Sequence, residues 1–175
     1  MRTLLKQVAE PLDQSSRHIP LTQGQFAIVD ASDFEWLSRW KWCLLKLRDD
    51  LMYAQTWVYD GRCGRPFYLM HRLILGAKKG QFCDHKNWNG IDNRRSNLRL
   101  CTRSQNQANR PLQSNNIYGY RGIYFDPERV KWEAKIKVQS KTVHLGRYET
   151  KEQAARAYND AATFYFGEFA QLNLI

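Results

Sequence analysis

The sequence predicts an α+β protein built from small antiparallel sheets and short helices, and three local patterns carry this prediction. Apolar and charged residues alternate from Lys131 to Val138, as on a strand with one buried and one wet face. A Thr-x-x-Gln capping box, a helix-start signal, occurs at Thr102 and again at Thr150. Apolar side chains recur at three-residue spacing across residues 34–40, as on one face of a helix.

The first 60 residues are expected to form a small α+β extension. Residues 1–20 are polar and predict irregular structure, and Asp30 is a candidate N-cap for the helix that carries the apolar stripe. Strands are predicted over residues 25–29, 42–47, 52–59 and 66–75, with a turn at residues 61–64. On the last strand, His71 is expected to be a packed or DNA-facing side chain, with an auxiliary ligand as the alternative. The N-terminus has no long apolar core, so we expect no signal peptide, and no apolar run approaches the ~20 residues of a membrane helix.

Positive charge is concentrated in the middle of the chain. The net charge is +10, with 27 basic and 17 acidic residues. Residues 61–110 alone carry 11 basic and 2 acidic side chains, whereas the acidic and basic side chains are nearly balanced before and after them. A local positive field of this kind favours a polyanion such as nucleic acid.

The four cysteines are far apart and form no C-x-x-C pair, which predicts reduced thiols. The expected location is therefore the cytoplasm. Stoichiometric zinc bound by the cysteines would instead indicate a zinc-binding structural protein.

Domain boundaries follow from composition and turn signals. Residues 61–110 form the predicted central domain, and residues 111–118 have no periodicity and predict a linker. Residues 119–175 predict three strands followed by one helix, which the second capping box begins and Gly167 ends. Small alanines on one face of that helix would let it lie close on the sheet.

The candidate chemistry lies in the stretch of residues 82–106, around the neighbouring Asp84 and His85. Hydrolysis of a phosphodiester requires a base for the attacking water and stabilisation of the charge that develops. A neutral histidine can accept the proton near pH 7, and a divalent metal held by oxygen ligands can stabilise the charge. Adjacent residues on an extended backbone point to opposite sides, so one can face the metal while the other faces the water.

Three asparagines and three arginines complete this pattern. Asn97 can tie the preceding loop to the histidine, and Asn106, one turn into the first capped helix, can reach back to the metal beside Asp84. Asn109 lies three residues further on the same face and is the alternative ligand. The arginines are expected to grip phosphates, which positions DNA without reading its sequence; they are Arg94, Arg95 and Arg99.

This part of the chain resembles the HNH endonucleases. The resemblance lies in residues 70–76, 83–85, 90–99 and 105–106, and it is nearest to the phage and intron-encoded homing branch, in which Asn replaces the final metal-binding His. It implies a ββα-metal finger in which His85 is the general base, Asp84 and Asn106 bind the metal, and Asn97 orients the base. The implied cofactor is one Mg²⁺ ion, with Mn²⁺ as a substitute. The resemblance also implies a phage or mobile-element setting, and hence a bacterial or phage-infected host cell. The sequence departs from the family in the context of residues 84–86 and in the Trp88-containing loop.

The C-terminal region resembles the AP2/ERF-type DNA-binding domain. The matching residues are 120–123, 132–136, 144–148, 154–158 and Asn173. The resemblance implies that a three-stranded sheet enters the major groove of DNA, backed by the helix. The implied DNA-facing residues are Arg121, Lys135, Lys137, Thr142 and His144. Plant members carry arginines at positions 124 and 126, an acidic residue at 135 and tryptophan at 144, so their target sequence does not transfer.

The sequence as a whole predicts a metal-dependent HNH endonuclease that nicks or cuts double-stranded DNA and is targeted by an AP2-type domain. A chain with one active site favours a monomer that nicks, and a double-strand break would need a dimer or two sequential cuts. The alternative is a non-catalytic DNA-binding regulator that keeps the finger as a scaffold.

Overall fold

A computed structural model describes residues 15–48, 51–57, 67–112 and 115–175. The chain divides into two compact units, one ending at Leu100 and the other spanning Cys101–Ile175. The described residues contain four α-helices and several small antiparallel sheets, which confirms the predicted mixture of helix and antiparallel sheet. None of the helices in the described ranges is both long and apolar enough to cross a membrane.

The first unit contains seven strands and two short helices among its described residues. The strands are β1 (Ser16–Pro20), β2 (Phe26–Asp30), β3 (Cys43–Arg48), β4 (Leu51–Trp57), β5 (Phe67–Leu69), β6 (Phe82–His85) and β7 (Leu98–Cys101). The helices are α1 (Ala31–Leu37) and α2 (Met70–Ile74), and a 3₁₀ turn spans Thr22–Gly24. Strands β1 and β2 pair antiparallel, β3, β4 and β5 form an antiparallel sheet in that order, and β6 pairs with β7.

Apolar side chains from both ends of this unit share one core. Val29 and Ala54 are fully buried, and Met70 and Leu98 pack in the same cluster. Burying these side chains joins the N-terminal strands to the elements on either side of Asp84 and His85. Described residues of the N-terminal region, from Ile19 to Ala54, therefore contribute to the same core as Met70 and Leu98.

Two predictions for this unit were wrong. The predicted strand over residues 66–75 ends at Leu69, where α2 begins, because Met70 and Ile74 lie one helical turn apart and both enter the core. The predicted irregular segment includes β1, which is stabilised by pairing with β2 rather than by an apolar alternation of its own. The predicted turn at residues 61–64 and Cys63 lie outside the described residues.

The second unit contains a helix, a three-stranded sheet and a longer helix. The elements are α3 (Arg103–Ala108), β8 (Ile123–Asp126), β9 (Lys131–Val138), β10 (Lys141–Tyr148) and α4 (Lys151–Phe166), followed by a 3₁₀ turn at Gly167–Phe169. The sheet is antiparallel in the order β10-β9-β8. Alanines of α4 are buried on Ala134 and Ile136 of β9, which accounts for their small size.

Both predicted capping boxes are confirmed. Thr102 Oγ1 accepts a hydrogen bond from Gln105 N at 3.2 Å, and Thr150 Oγ1 accepts one from Gln153 N at 3.2 Å. Each Gln side chain bonds back to the backbone N–H of its threonine. Gly167 ends α4 with φ of 52°, a backbone conformation that glycine adopts without strain.

Candidate active site

Asp84 and His85 are both buried at the end of β6, with 5% and 6% of their surfaces exposed. Their partners differ, as expected of neighbours on a strand. Asp84 Oδ2 accepts hydrogen bonds from the guanidinium of Arg99, at 2.9 Å from both Nε and Nη2. His85 Nε2 lies 3.4 Å from Asn93 Oδ1. The two side chains therefore contact different groups, Arg99 for Asp84 and Asn93 for His85.

The environment of His85 favours its neutral form. Burial lowers the pKa of His85, and this outweighs the opposing effects of the Asn93 hydrogen bond and of the Asp84 and Asp92 carboxylates. A ring with a lowered pKa remains unprotonated near neutral pH. It can therefore accept a proton, which is the property that a general base requires.

Asn97 stabilises the β6–β7 loop (residues 86–97). Its Oδ1 accepts from Asn87 N at 3.0 Å, and its Nδ2 donates to Asp92 O at 2.8 Å and to Asn87 Oδ1 at 2.9 Å. Its backbone carbonyl accepts from Lys86 N at 2.9 Å. Asn97 thus joins both ends of the loop, whereas Asn93 supplies the amide that faces His85.

The arginines expected to grip phosphates form ion pairs with buried carboxylates. Arg94 contacts Asp92 at 2.7 Å, and Arg95 contacts Asp33 at 2.7 and 2.8 Å. Burial raises the pKa of Asp33, but the hydrogen bonds from Arg95 and Trp36 outweigh it and lower the pKa overall. The Arg95 side chain is still 53% exposed, so it can present its outer edge to a ligand while the pair holds the loop.

The N-terminal strands hold the same loop. Ile28 N donates to Ile91 O at 2.9 Å, and Asn93 N donates to Ile28 O at 2.7 Å. Gly90 lies so close to β4 that a Cβ there would be 2.2 Å from Met52 O and 2.7 Å from the Tyr53 ring. These contacts fix the backbone of Asn93 and hence the amide that faces His85.

Sequence reasoning did not identify Tyr53, His71 and Asn93 as neighbours of His85. The ring of His71 packs edge-on against that of His85, with centroids 5.0 Å apart, and the Tyr53 ring lies 5.9 Å from His85. His71 was expected on a strand, as a packed or DNA-facing side chain. Its spacing to Ile74 and Leu75 was the signal for a helix, whereas Tyr53 carried no signal because its contact is nonlocal.

The two candidate asparagine ligands lie in the second unit. Asn106 is on α3, and Asn109 is the C-cap residue of that helix and is 6% exposed. The assignment of either one to a metal remains a prediction, as does the ββα arrangement of β6, β7 and α3. Within the described ranges, no group of three or more His, Cys, Asp or Glu side chains is placed to hold a metal ion.

Four of the five residues predicted to face DNA share the surface of the β8–β10 sheet opposite α4. His144 pairs with Lys135 and Thr142 pairs with Lys137 in the β9–β10 register, and paired residues point to the same side. The fifth, Arg121, precedes β8, and its guanidinium donates to Arg110 O. Its backbone is tied to Asn173, whose Oδ1 accepts from Arg121 N at 2.7 Å.

Glu133 lies on the same sheet surface, on the wet face of β9 that the alternation predicts, but no role was predicted for it. It contacts Lys135 at 2.6 Å, His144 at 2.8 Å and Arg147 at 3.7 Å. The Lys135 hydrogen bond lowers the pKa of Glu133 most, and the charges of His144 and Arg147 lower it further. Basic side chains from β9 and β10 therefore surround one carboxylate on this sheet surface.

A buried Asp-His pair does not by itself define a reaction, and the family of the chain is shown by comparison with known proteins. An uncharacterized HNH endonuclease of Acanthamoeba polyphaga mimivirus is 31% identical over 155 residues, which are 87% of this chain and 77% of that protein. The chain belongs to the HNH endonuclease family.

A second relative covers a smaller part. Over 42 residues, or 24% of this chain, the sequence is 48% identical to an ethylene-responsive transcription factor-like protein of Arabidopsis thaliana, and the match spans 18% of that protein. No family profile matches the chain.

Proposed function

We propose that the protein hydrolyses phosphodiester bonds in double-stranded DNA and that His85 removes the proton from the attacking water. The observation that carries this proposal is the buried His85 ring, whose pKa is lowered and whose Nε2 faces Asn93. A neutral imidazole held in one orientation is what proton removal requires at neutral pH. Membership of the HNH endonuclease family supports the same reaction.

The proposed cofactor is a single divalent metal ion, Mg²⁺ or Mn²⁺, held by Asp84 and by Asn106, with Asn109 as the alternative. Carboxylate and amide oxygens are suitable ligands for such ions, and Mg²⁺ commonly keeps waters and binds substrate phosphates besides one or two carboxylates. Arg99 already fixes the Asp84 carboxylate, which fits a preformed ligand. When bound, the metal would stabilise the charge on the phosphate and on the leaving oxygen.

The sheet of the second unit is the proposed DNA-binding surface. Lys137 and Thr142 are exposed, and Lys135 and His144 lie beside them around Glu133. A β-ribbon fits the major groove, and lysines facing phosphates add affinity that depends on salt. The match to a transcription factor-like protein supports a DNA-targeting role for part of the chain.

Metal removal tests the proposed reaction. Supercoiled plasmid incubated with the full chain and Mg²⁺ is expected to become open circular, because one active site nicks one strand, and EDTA is expected to stop the reaction. Asp84→Asn should lose the activity. Asp160→Asn, an exposed aspartate on α4, is the matched control and should keep it.

The outcomes distinguish a metal-dependent endonuclease from a non-catalytic DNA-binding regulator. Cleavage that persists in EDTA, or in Asp84→Asn, would contradict the metal site. A wild-type protein that shifts DNA in a gel but never cuts it with Mg²⁺ or Mn²⁺ would be the non-catalytic regulator.

A charge change on the sheet should alter the salt dependence of DNA binding. Lys137→Ala is expected to weaken binding and to reduce the slope of log K against log salt by about 1, since one phosphate contact is lost. Glu133→Gln is expected to tighten binding, because it removes the negative charge between the cations. Lys151→Ala, at the start of α4 beside the Tyr120 ring, is the control and should leave the slope unchanged. Fluorescence anisotropy at several salt concentrations measures all three, and equal slopes for Lys137→Ala and wild type would contradict the surface assignment.

A further inference from the structure

The buried rings of His71 and His85 and the half-buried ring of Tyr53 form a cluster at the candidate base. The centroids of His71 and His85 are 5.0 Å apart at an interplanar angle of 81°, so one ring meets the other edge-on. The Tyr53 ring lies 5.3 Å from His71 and 5.9 Å from His85. The plane of the His85 ring is thus restricted by two neighbours that come from α2 and β4.

His71 is chemically unusual for a packing residue. Only 6% of it is exposed, and its Nδ1 is buried without a hydrogen-bond partner. Burial, together with the nearby His85 and Arg72, lowers the pKa of His71 to about 3, so the ring is neutral. A phenylalanine would fill a similar space without an unsatisfied nitrogen, and buried polar groups without partners are rare enough to require an explanation.

The same feature recurs on the other side of the base. Asn93 is fully buried, its Oδ1 faces His85 Nε2, and its Nδ2 has no partner. These two nitrogens are the buried side-chain atoms without a hydrogen bond in the described part of the chain, and both belong to neighbours of His85. The unsatisfied polarity is therefore concentrated at the base rather than scattered through the core.

We propose that His71 is a positioning residue for His85. Its ring restricts the plane of the His85 ring, and its buried Nδ1 offers a hydrogen-bonding position to a water molecule. This inference rests on the proposed function, since it assigns a role within the same reaction. It requires both the shape of the His71 ring and its nitrogen.

Substitutions at residue 71 distinguish the contribution of the ring shape from that of the ring nitrogen to the cleavage rate. His71→Ala and His71→Phe are expected to slow single-turnover cleavage about 100-fold, the size of effect that follows from a misplaced catalytic group. DNA affinity should not change, because His71 is buried. His71→Asn, which keeps a polar atom near the position of Nδ1, should recover part of the rate. His18→Phe is the control, because His18 also contacts an aromatic ring, that of Phe26 on β2, but lies on β1.

A wild-type cleavage rate in His71→Phe would overturn the role of the nitrogen. Equal losses of rate in all three variants, accompanied by equal losses of thermal stability, would reduce His71 to a packing residue. Recovery by Asn alone is a result that packing does not produce.

Nuclear magnetic resonance of the histidine rings tests the positioning without any cleavage. In the full chain without DNA or metal, wild-type His85 is expected to give one sharp ring signal, and His71→Ala to broaden or split it. The His144 signal should stay unchanged in both proteins. An unaltered His85 signal in His71→Ala would overturn the inference even if cleavage were lost. A wild-type protein that cuts no DNA would remove the proposed function, and the ring signals would still decide whether His71 positions His85.

Discussion

Replacing His85 with alanine is expected to lower the single-turnover rate of DNA cleavage by about 10²- to 10⁴-fold, the usual contribution of a general base. The ring is the group at the end of β6 that can take a proton from water, and burial keeps it neutral. DNA affinity should stay close to that of the wild type, because a neutral buried ring contributes little to phosphate binding. Quenched-flow cleavage and anisotropy binding measure the two quantities separately.

The pH dependence of the wild-type rate provides a second readout for the same residue. Because burial lowers the pKa of His85, the base should remain neutral, and the rate should hold, as the pH falls to the ordinary histidine value of about 6.5. The rate should decline only below that value, where the ring becomes protonated. His18→Ala is the matched control and should keep the wild-type rate and profile. Equal cleavage by His85→Ala and wild type would exclude His85 as the base, and an acidic decline beginning above pH 7 would contradict its lowered pKa.

Local signals in the sequence predicted the second unit well. A capping box involves residues three apart, so the motifs at Thr102 and Thr150 predict the starts of two helices without knowledge of the tertiary structure. The β9 boundaries follow from an alternation that is itself local, because the wet and buried faces repeat every two residues. Such features can be predicted from the sequence because the interacting residues are close together in it.

The surroundings of His85 could not be predicted in this way. Arg95 has the sequence signature of a phosphate-binding residue, yet its guanidinium pairs with Asp33, 62 residues away. The basic excess of residues 61–110 is therefore partly neutralised by the Asp33 carboxylate of α1. His71 was misplaced on a strand for a related reason, since a run of apolar residues fits a buried strand or a short buried helix until its neighbours are known.

Substituting Gly90 with alanine should slow DNA cleavage, although Gly90 is not one of the candidate catalytic or metal-binding residues. The new Cβ would lie 2.2 Å from Met52 O and 2.7 Å from the Tyr53 ring, so the β6–β7 loop must move away from β4. Asn93 would move with it, because its position depends on the contact between this loop and β2. We expect a loss of about 1–3 kcal/mol in the free energy of unfolding, as for other overpacked sites. We also expect cleavage about 100-fold slower, because the base is no longer held in place.

Gly80→Ala is the control for the loss of stability in Gly90→Ala. Gly80 has φ of +88° and no atom within 4 Å of an added Cβ, so the substitution carries only backbone strain of about 1–2 kcal/mol. The two variants should therefore lose comparable stability in thermal or urea unfolding, whereas only Gly90→Ala should lose cleavage. A Gly90→Ala protein that cuts DNA at the wild-type rate would mean that the contact of the loop with β4 is dispensable for orienting His85. The stability of this loop would then be independent of the cleavage rate. The strands that contact the loop would stabilise the fold without orienting His85.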